Sequence, residues 1–228
     1  MYLKFYGFTE APFNITPDPR FLFFAQHHRE AFDHLVYGIE NRKGFIELTG
    51  EVGAGKTTIC RAVLASLAPT IKTSLVLNPW LTENQLLRAI LHDFGLTVKG
   101  RDRLAYLETL NAFLLEQLRS SNNVALIIDE AQNLSPSVLE QIRLLSNLET
   151  DQHKLLQIVL CGQPELKQRL AAPELRQLRQ RITVRYHLFP LTKEELKRYI
   201  EHRLEKAGWS GDPIFNDDAV RRVYAYSG

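Results

Sequence analysis

The chain is poor in cysteine: Cys60 and Cys161 are its only two thiols, both in apolar surroundings and without CxxC spacing. That excludes a disulfide framework, gives no zinc signature and reads as the usage of a reducing compartment. Long hydrophobic runs are also missing. Stretches such as Val124–Ile128 fall far short of the roughly 20 apolar residues that span a bilayer. The N-terminus carries no basic region followed by an apolar run, so a soluble, unsecreted, cytoplasmic polypeptide is expected. Charge of one sign is scarce as well, with 28 Lys+Arg against 26 Asp+Glu. No chain-wide field therefore draws the chain to nucleic acid, and any such contact would come from a local patch. Glycine and proline are not in excess, which excludes disordered and collagen-like chains. What is present is ordinary globular composition over 228 residues, enough for one large domain or one and a half.

Residues 1–25 are rich in aromatics, and Pro12, Pro17 and Pro19 interrupt any helix. They read as an irregular arm packed by Phe5, Phe8, Phe13, Phe21 and Phe23. Helical spacing over His27–Ile39 precedes a strand at Phe45–Thr49, a helix at Lys56–Leu67 and a short strand at Ser74–Leu77 that stops at Asn78-Pro79. Helices follow at about Thr82–Phe94, with Thr82 as N-cap, and Arg103–Arg119. The apolar run Val124–Ile128 ends in Asp129-Glu130, as for a parallel strand buried on both faces. Pro136 opens a helix with Val138, Leu139, Ile142, Leu145 and Leu148 on one face, and Leu155–Cys161 returns as a strand. This alternation predicts an α/β parallel-sheet sandwich with its ligand site beyond the carboxyl ends of the strands. After Phe189-Pro190 only helices are expected, the first opened by a Thr192/Glu195 capping box and the second at Asp217–Tyr226. A boundary near Leu191 divides residues 1–190, the core with its arm, from 191–228, a helical second unit that reads as truncated at Ser227-Gly228. The seven histidines form no metal constellation, and Trp80 and Trp209 read as packing anchors.

The chemistry concentrates at strand ends. Gly50, Glu51, Val52, Gly53, Ala54, Gly55, Lys56 and Thr57 fit the phosphate-loop pattern GxxxxGK[ST], between a predicted strand and a predicted helix, with Thr58 next. In such a loop the backbone N–H groups wrap a phosphate, Lys56 reaches the β and γ phosphates and the Thr57 hydroxyl faces Mg²⁺. Asp129 would share the metal shell, and Glu130 would polarise the attacking water. Gln163, beyond the strand Ile158–Cys161, could orient that water or sense the γ-phosphate; the other reading is a turn-stabilising amide. Asn78 could hold Glu130 away from the water at rest, or be the polar residue of an Asn-Pro turn. Among Arg176, Arg179 and Arg181, on a short helix with Arg169 upstream, one could reach the γ-phosphate of a neighbouring subunit. The other readings of this basic face are simple solvation and contact with DNA phosphates.

With these stretches in place, the chain resembles the ExeA/GspA-type AAA+ ATPases of bacterial type II secretion and related pilus or export systems. The likeness rests on Pro12-Phe13 and residues 17–20 in the arm, His28-Arg29-Glu30-Ala31, the phosphate loop, 129–134 (DEAQNL), 139–149 with its LSNLE ending, and 162–166 (GQPEL). The resemblance implies a P-loop NTPase core with a helical lid, ATP or ADP with Mg²⁺ as ligands, and a homo-oligomer whose arginines complete the neighbouring site in trans. It implies further an inner-membrane or secretion-system partner, and a role in assembling a cell-envelope complex such as a secretin. Members commonly continue into a transmembrane helix and a peptidoglycan-binding domain. This chain stops before the lid's nucleotide-sensing arginine, so it reads as the cytoplasmic ATPase portion of an inner-membrane protein. Two other functions fit the same motifs: a DNA-targeting adaptor like the transposition ATPases resembling TniB, and a nucleotide-responsive scaffold with little turnover.

Overall fold

The computed structural model describes residues 2–14, 19–77, 80–100, 102–150 and 153–227. Three strands are apolar on both faces, and these three form the centre of the molecule: β1 (Phe45–Gly50), β3 (Asn123–Ile128) and β4 (Gln157–Gly162), each buried along its whole length. The half-exposed strands β2 (Ile71–Val76) and β5 (Ile182–Leu188) take the edges, where solvent on one side suits their mixed sequences. Among the described residues five strands form a parallel sheet in the order β2-β3-β4-β1-β5. Side chains alternate across the sheet. Ile46, Leu48, Ala125, Ile127, Val159 and Cys161 meet α2 (Gln26–Glu40) and α3 (Lys56–Ser66) on one face. Phe45, Leu126, Ile128, Ile158 and Leu160 meet the helices of the other face. Those are α4 (Glu83–Asp93), α5 (Arg103–Arg119), α6 (Pro136–Leu145), α7 (Pro164–Leu170) and α8 (Arg176–Arg181). The expected α/β parallel-sheet sandwich is the observed fold.

Capping chemistry sets several helix starts. Thr82 and Gln85 form a reciprocal capping box on α4, Asp102 caps α5, and Ser135 caps α6 with Pro136 in its first turn. A second capping box, Thr192 with Glu195, opens α9 (Lys193–Lys206), and α10 (Asp217–Ser227) follows. The C-terminal helices bury Leu196, Ile200, Leu204 and Val220 in a third apolar cluster of their own.

Three expectations need correction. Residues 2–6 form a helix, α1 (Tyr2–Tyr6), inside the arm expected to be irregular. Gly7, at φ +69°, ends it in a left-handed turn that lets the Phe8 N–H donate to Leu3 O at 2.8 Å. β2 begins at Ile71 rather than Ser74 because it runs in register with β3 from Asn123 onward. Trp80 is exposed rather than a core anchor, since it lies in the loop beyond the carboxyl end of β2. The arm packs on the C-terminal helices: the Thr9 N–H and hydroxyl both donate to Ala207 O, at 2.9 and 3.0 Å, and Tyr6 and Phe8 pack edge-on against Trp209.

Candidate active site

The sheet order inserts β4 between β1 and β3, so three strand ends converge at one carboxyl edge. β1 delivers the loop from Gly50 to Gly55, which turns directly into α3 at Lys56. Gly55 has φ +93°, a left-handed conformation that side chains rarely adopt. The Lys56 ammonium is buried and folds back on its own loop, donating to Gly50 O at 2.8 Å and Glu51 O at 2.9 Å. A buried cation needs such acceptors, and these two carbonyls are the partners an incoming phosphate would replace.

β3 delivers two carboxylates with different partners. Buried Asp129 accepts from the Thr57 hydroxyl at 2.5 Å, across 72 residues of chain, and its other oxygen accepts from the Glu130 N–H at 2.9 Å. Glu130 takes a left-handed backbone, φ +53°, which departs from the strand direction and starts a 3-10 turn over Ala131–Asn133. Its Oε2 accepts from Gln132 Nε2 at 2.6 Å and from Gln163 Nε2 at 3.3 Å, and Gln163 N–H donates to Gln132 Oε1 at 3.0 Å. A Cβ at Gly162 would come within 2.7 Å of that Gln132 oxygen, so the glycine before Gln163 makes room for the amide.

The structure thus brings together Lys56, Thr57, Asp129, Glu130 and Gln163, as the sequence analysis expected of neighbours. It adds two residues from stretches that carried the resemblance but had no role assigned: Gln132, within 129–134, and His28, whose Nε2 lies 3.0 Å from Ala54 O across 26 residues. Asn78, expected to restrain Glu130, lies outside the described residues. The arginines of α8 are not gathered here. Arg176 and Arg179 are exposed, and Arg181 donates to the Ser146 hydroxyl. β5 begins immediately after α8, with Ile182 beside Phe45, five residues below Gly50. At about 3.3 Å per residue that is about 16 Å down the strand from the phosphate loop.

Beside the loop opens a cavity of about 780 Å³. Its floor is Glu51–Gly55 and Thr58, one wall is Phe21–Phe23 of the arm with His28, and the facing wall is Leu196, Tyr199 and Arg203 of α9 with Tyr224 of α10. Arg203 ties the walls together: its guanidinium lies 5.0 Å from the Phe21 ring centre and 5.9 Å from that of Phe13, and its Nε donates to Pro12 O.

Residues 39–170 match the family model of an AAA domain. Over its full length the chain is 47% identical to general secretion pathway protein A of Aeromonas hydrophila, of which it spans 42%. Among solved structures, the Walker-type ATPase of Pyrococcus abyssi superposes with a TM-score of 0.67 at 18% identity, over 94% of this chain and 67% of that one. The ORC2 protein of Aeropyrum pernix, solved as ADPNP and ADP complexes, gives 0.62 at 18% identity, over 85% and 55%. At such identities the likeness to these structures is one of fold.

Proposed function

The chain belongs to the AAA domain family and is a homologue of general secretion pathway protein A, and on that premise we propose that it binds ATP at Gly50–Thr58 and hydrolyses it to ADP and phosphate. The observation that carries this reading is the meeting of two strand ends: Thr57 from the loop bonds Asp129 from β3 at 2.5 Å, with Glu130 beside it. A hydroxyl and a carboxylate are hard oxygen donors of the kind Mg²⁺ takes, so Thr57 and Asp129 fit that ion. When bound, Mg²⁺ neutralises charge developing on the phosphate oxygens.

The other residues divide the remaining work. Backbone N–H groups of the loop and the start of α3 bind the β-phosphate, and Lys56 turns from Gly50 O and Glu51 O to the β and γ phosphates. Glu130 accepts the proton of the water that attacks the γ-phosphorus, while the bond to the ADP oxygen breaks. Gln132 and Gln163 hold the Glu130 carboxylate at rest, and Gln163 is placed to respond when the γ-phosphate leaves. The 780 Å³ cavity, between residues 1–190 and the helical lid of 191–228, takes the base and sugar. Because α8 lies too far from its own phosphate loop, one of Arg176, Arg179 or Arg181 acts on a neighbouring copy, which makes the working unit a homo-oligomer. The likeness to general secretion pathway protein A supports a role in secretion, where turnover would drive or regulate assembly of an envelope complex with an inner-membrane partner. Among the described residues no helix is long and apolar enough to cross a membrane.

The test is Mg²⁺-dependent ATP turnover per protomer over a dilution series, with Glu130→Gln alongside. The substitution is expected to retain ATP binding and to lower turnover by about 100-fold or more, the range for losing a general base. Near-normal turnover would remove Glu130 from its role. A rate per protomer that is the same in monomer and oligomer would remove the arginines from theirs.

A further inference from the structure

A loop that wraps a phosphate with its N–H groups must throw its carbonyls outward, because each planar trans peptide points the two in opposite directions. Those outward carbonyls need partners. Two of them, Gly50 O and Glu51 O, are held by Lys56 Nζ, and Glu51 O also accepts from the Ala54 N–H at 3.2 Å. Lys56 must leave them when phosphate arrives. Ala54 O is held differently, by a side chain from another element: His28 of α2, buried at 7% exposure, with Nε2 3.0 Å away.

A carbonyl can only accept, so His28 Nε2 carries the proton and donates. Its other nitrogen, Nδ1, is buried with no hydrogen-bond partner among the described residues, so the ring is held in the neutral form with a single donor aimed at the loop. Burial pushes the imidazole below its ordinary range, in agreement with a neutral ring. The ring also lies against the bare Cα of Gly55, where a Cβ would meet Nε2 at 3.2 Å. His28 therefore touches both residues of the 54–55 peptide.

We propose that His28 is a positioning residue for nucleotide: by holding Ala54 O outward it turns the Gly55 N–H inward, toward the phosphate, and keeps the loop in its binding shape after Lys56 has moved. The inference rests on the ATP-binding reading of the same loop. It assigns no chemical step to His28, so its effect falls on binding rather than on the rate at saturation.

The experiment compares the full chain with His28→Gln, His28→Asn and His28→Ala, reading ATP binding, KM and kcat, with Lys56→Ala as the binding-deficient reference. A glutamine amide reaches as far as Nε2, whereas an asparagine amide stops at the depth of Nδ1. His28→Ala and His28→Asn are expected to raise Kd and KM for ATP about 10-fold, the worth of one hydrogen bond, with kcat within about twofold of wild type. His28→Gln is expected to restore both constants to within about threefold of wild type. Thermal unfolding of each variant separates misfolding from the effect: His28→Gln folded but as weak as His28→Ala would reduce the residue to packing and overturn the proposal. Wild-type affinity in His28→Ala would overturn it too, while leaving the ATP-binding reading intact. If the wild-type chain binds no more ATP than Lys56→Ala, that reading falls and takes the His28 proposal with it.

Discussion

The two halves of the proposed nucleotide cavity are built in opposite ways. On the loop side the polar groups are held by hydrogen bonds of 2.5–3.3 Å at the ends of the fully buried strands β1, β3 and β4: Lys56 on two carbonyls, Thr57 on Asp129, Glu130 on two glutamine amides. On the side of the arm and the C-terminal helices, ring and guanidinium contacts with centre separations of 5.0–6.3 Å accompany the hydrogen bonds of Thr9 to Ala207 O and Arg203 to Pro12 O. Reaction chemistry needs atoms held to within fractions of an ångström, which a strand ladder supplies. A surface that admits and releases a base tolerates the looser geometry of edge-packed rings, and such regions open at lower cost than a core. On the proposed function, the contrast separates a half that reacts from a half that encloses.

Three substitutions test that division. The largest effect is expected at Lys56→Ala, which removes a buried cation from the loop side and should weaken ATP binding about 100-fold or more, measured by equilibrium binding. Binding within a few-fold of wild type would mean that the loop holds phosphate by its backbone alone. Next, Gly162→Ala places a methyl within 2.7 Å of Gln132 Oε1. It should cost about 1–3 kcal/mol of stability in denaturant unfolding. Because Gln132 then loses its hold on Glu130, turnover should fall about 10-fold with little change in ATP binding. Unchanged turnover would show that the Gln132 contact is dispensable. The smallest effect belongs to the enclosing side: Arg203→Ala removes one link between the arm and the C-terminal helices, and should cost about 1 kcal/mol of stability. ATP binding should weaken a few-fold, more than kcat falls, and a loss as large as that of Lys56→Ala would erase the distinction between the halves.

The legibility of the molecule follows the same line. The central strands announced themselves as apolar runs ending in polar residues, and the capping residues Thr82 and Thr192 marked helix starts within two or three positions of sequence. The phosphate loop was legible because its geometry is met by eight consecutive residues, and Asp129-Glu130 because they terminate a buried strand. What escaped was contact across long separations. Nothing local in His28 points to Ala54, and nothing in the aromatic arm indicates that Phe8 would meet Trp209 rather than the sheet. Gln132 was close in sequence to Glu130, yet its reach back to the carboxylate depends on Glu130 adopting φ +53°, a conformation that no spacing rule anticipates. α1 was hidden because five residues with no buried side chain carry no periodic signal, and its end depends on the single turn at Gly7.

The pair of hydrogen bonds from Thr9 to Ala207 O joins residues 198 positions apart. Closing so long a loop costs little more free energy than closing one half its length, so the joint is sustainable in the finished molecule. Its cost lies in time, since contacts of high sequence separation form late. As the chain leaves the ribosome, the phosphate loop and its three strands are all available once residue 162 has emerged, whereas the opposite wall waits for α9. On the ATP-binding reading, a growing chain therefore owns the means to grip phosphate before it owns the means to enclose a nucleotide.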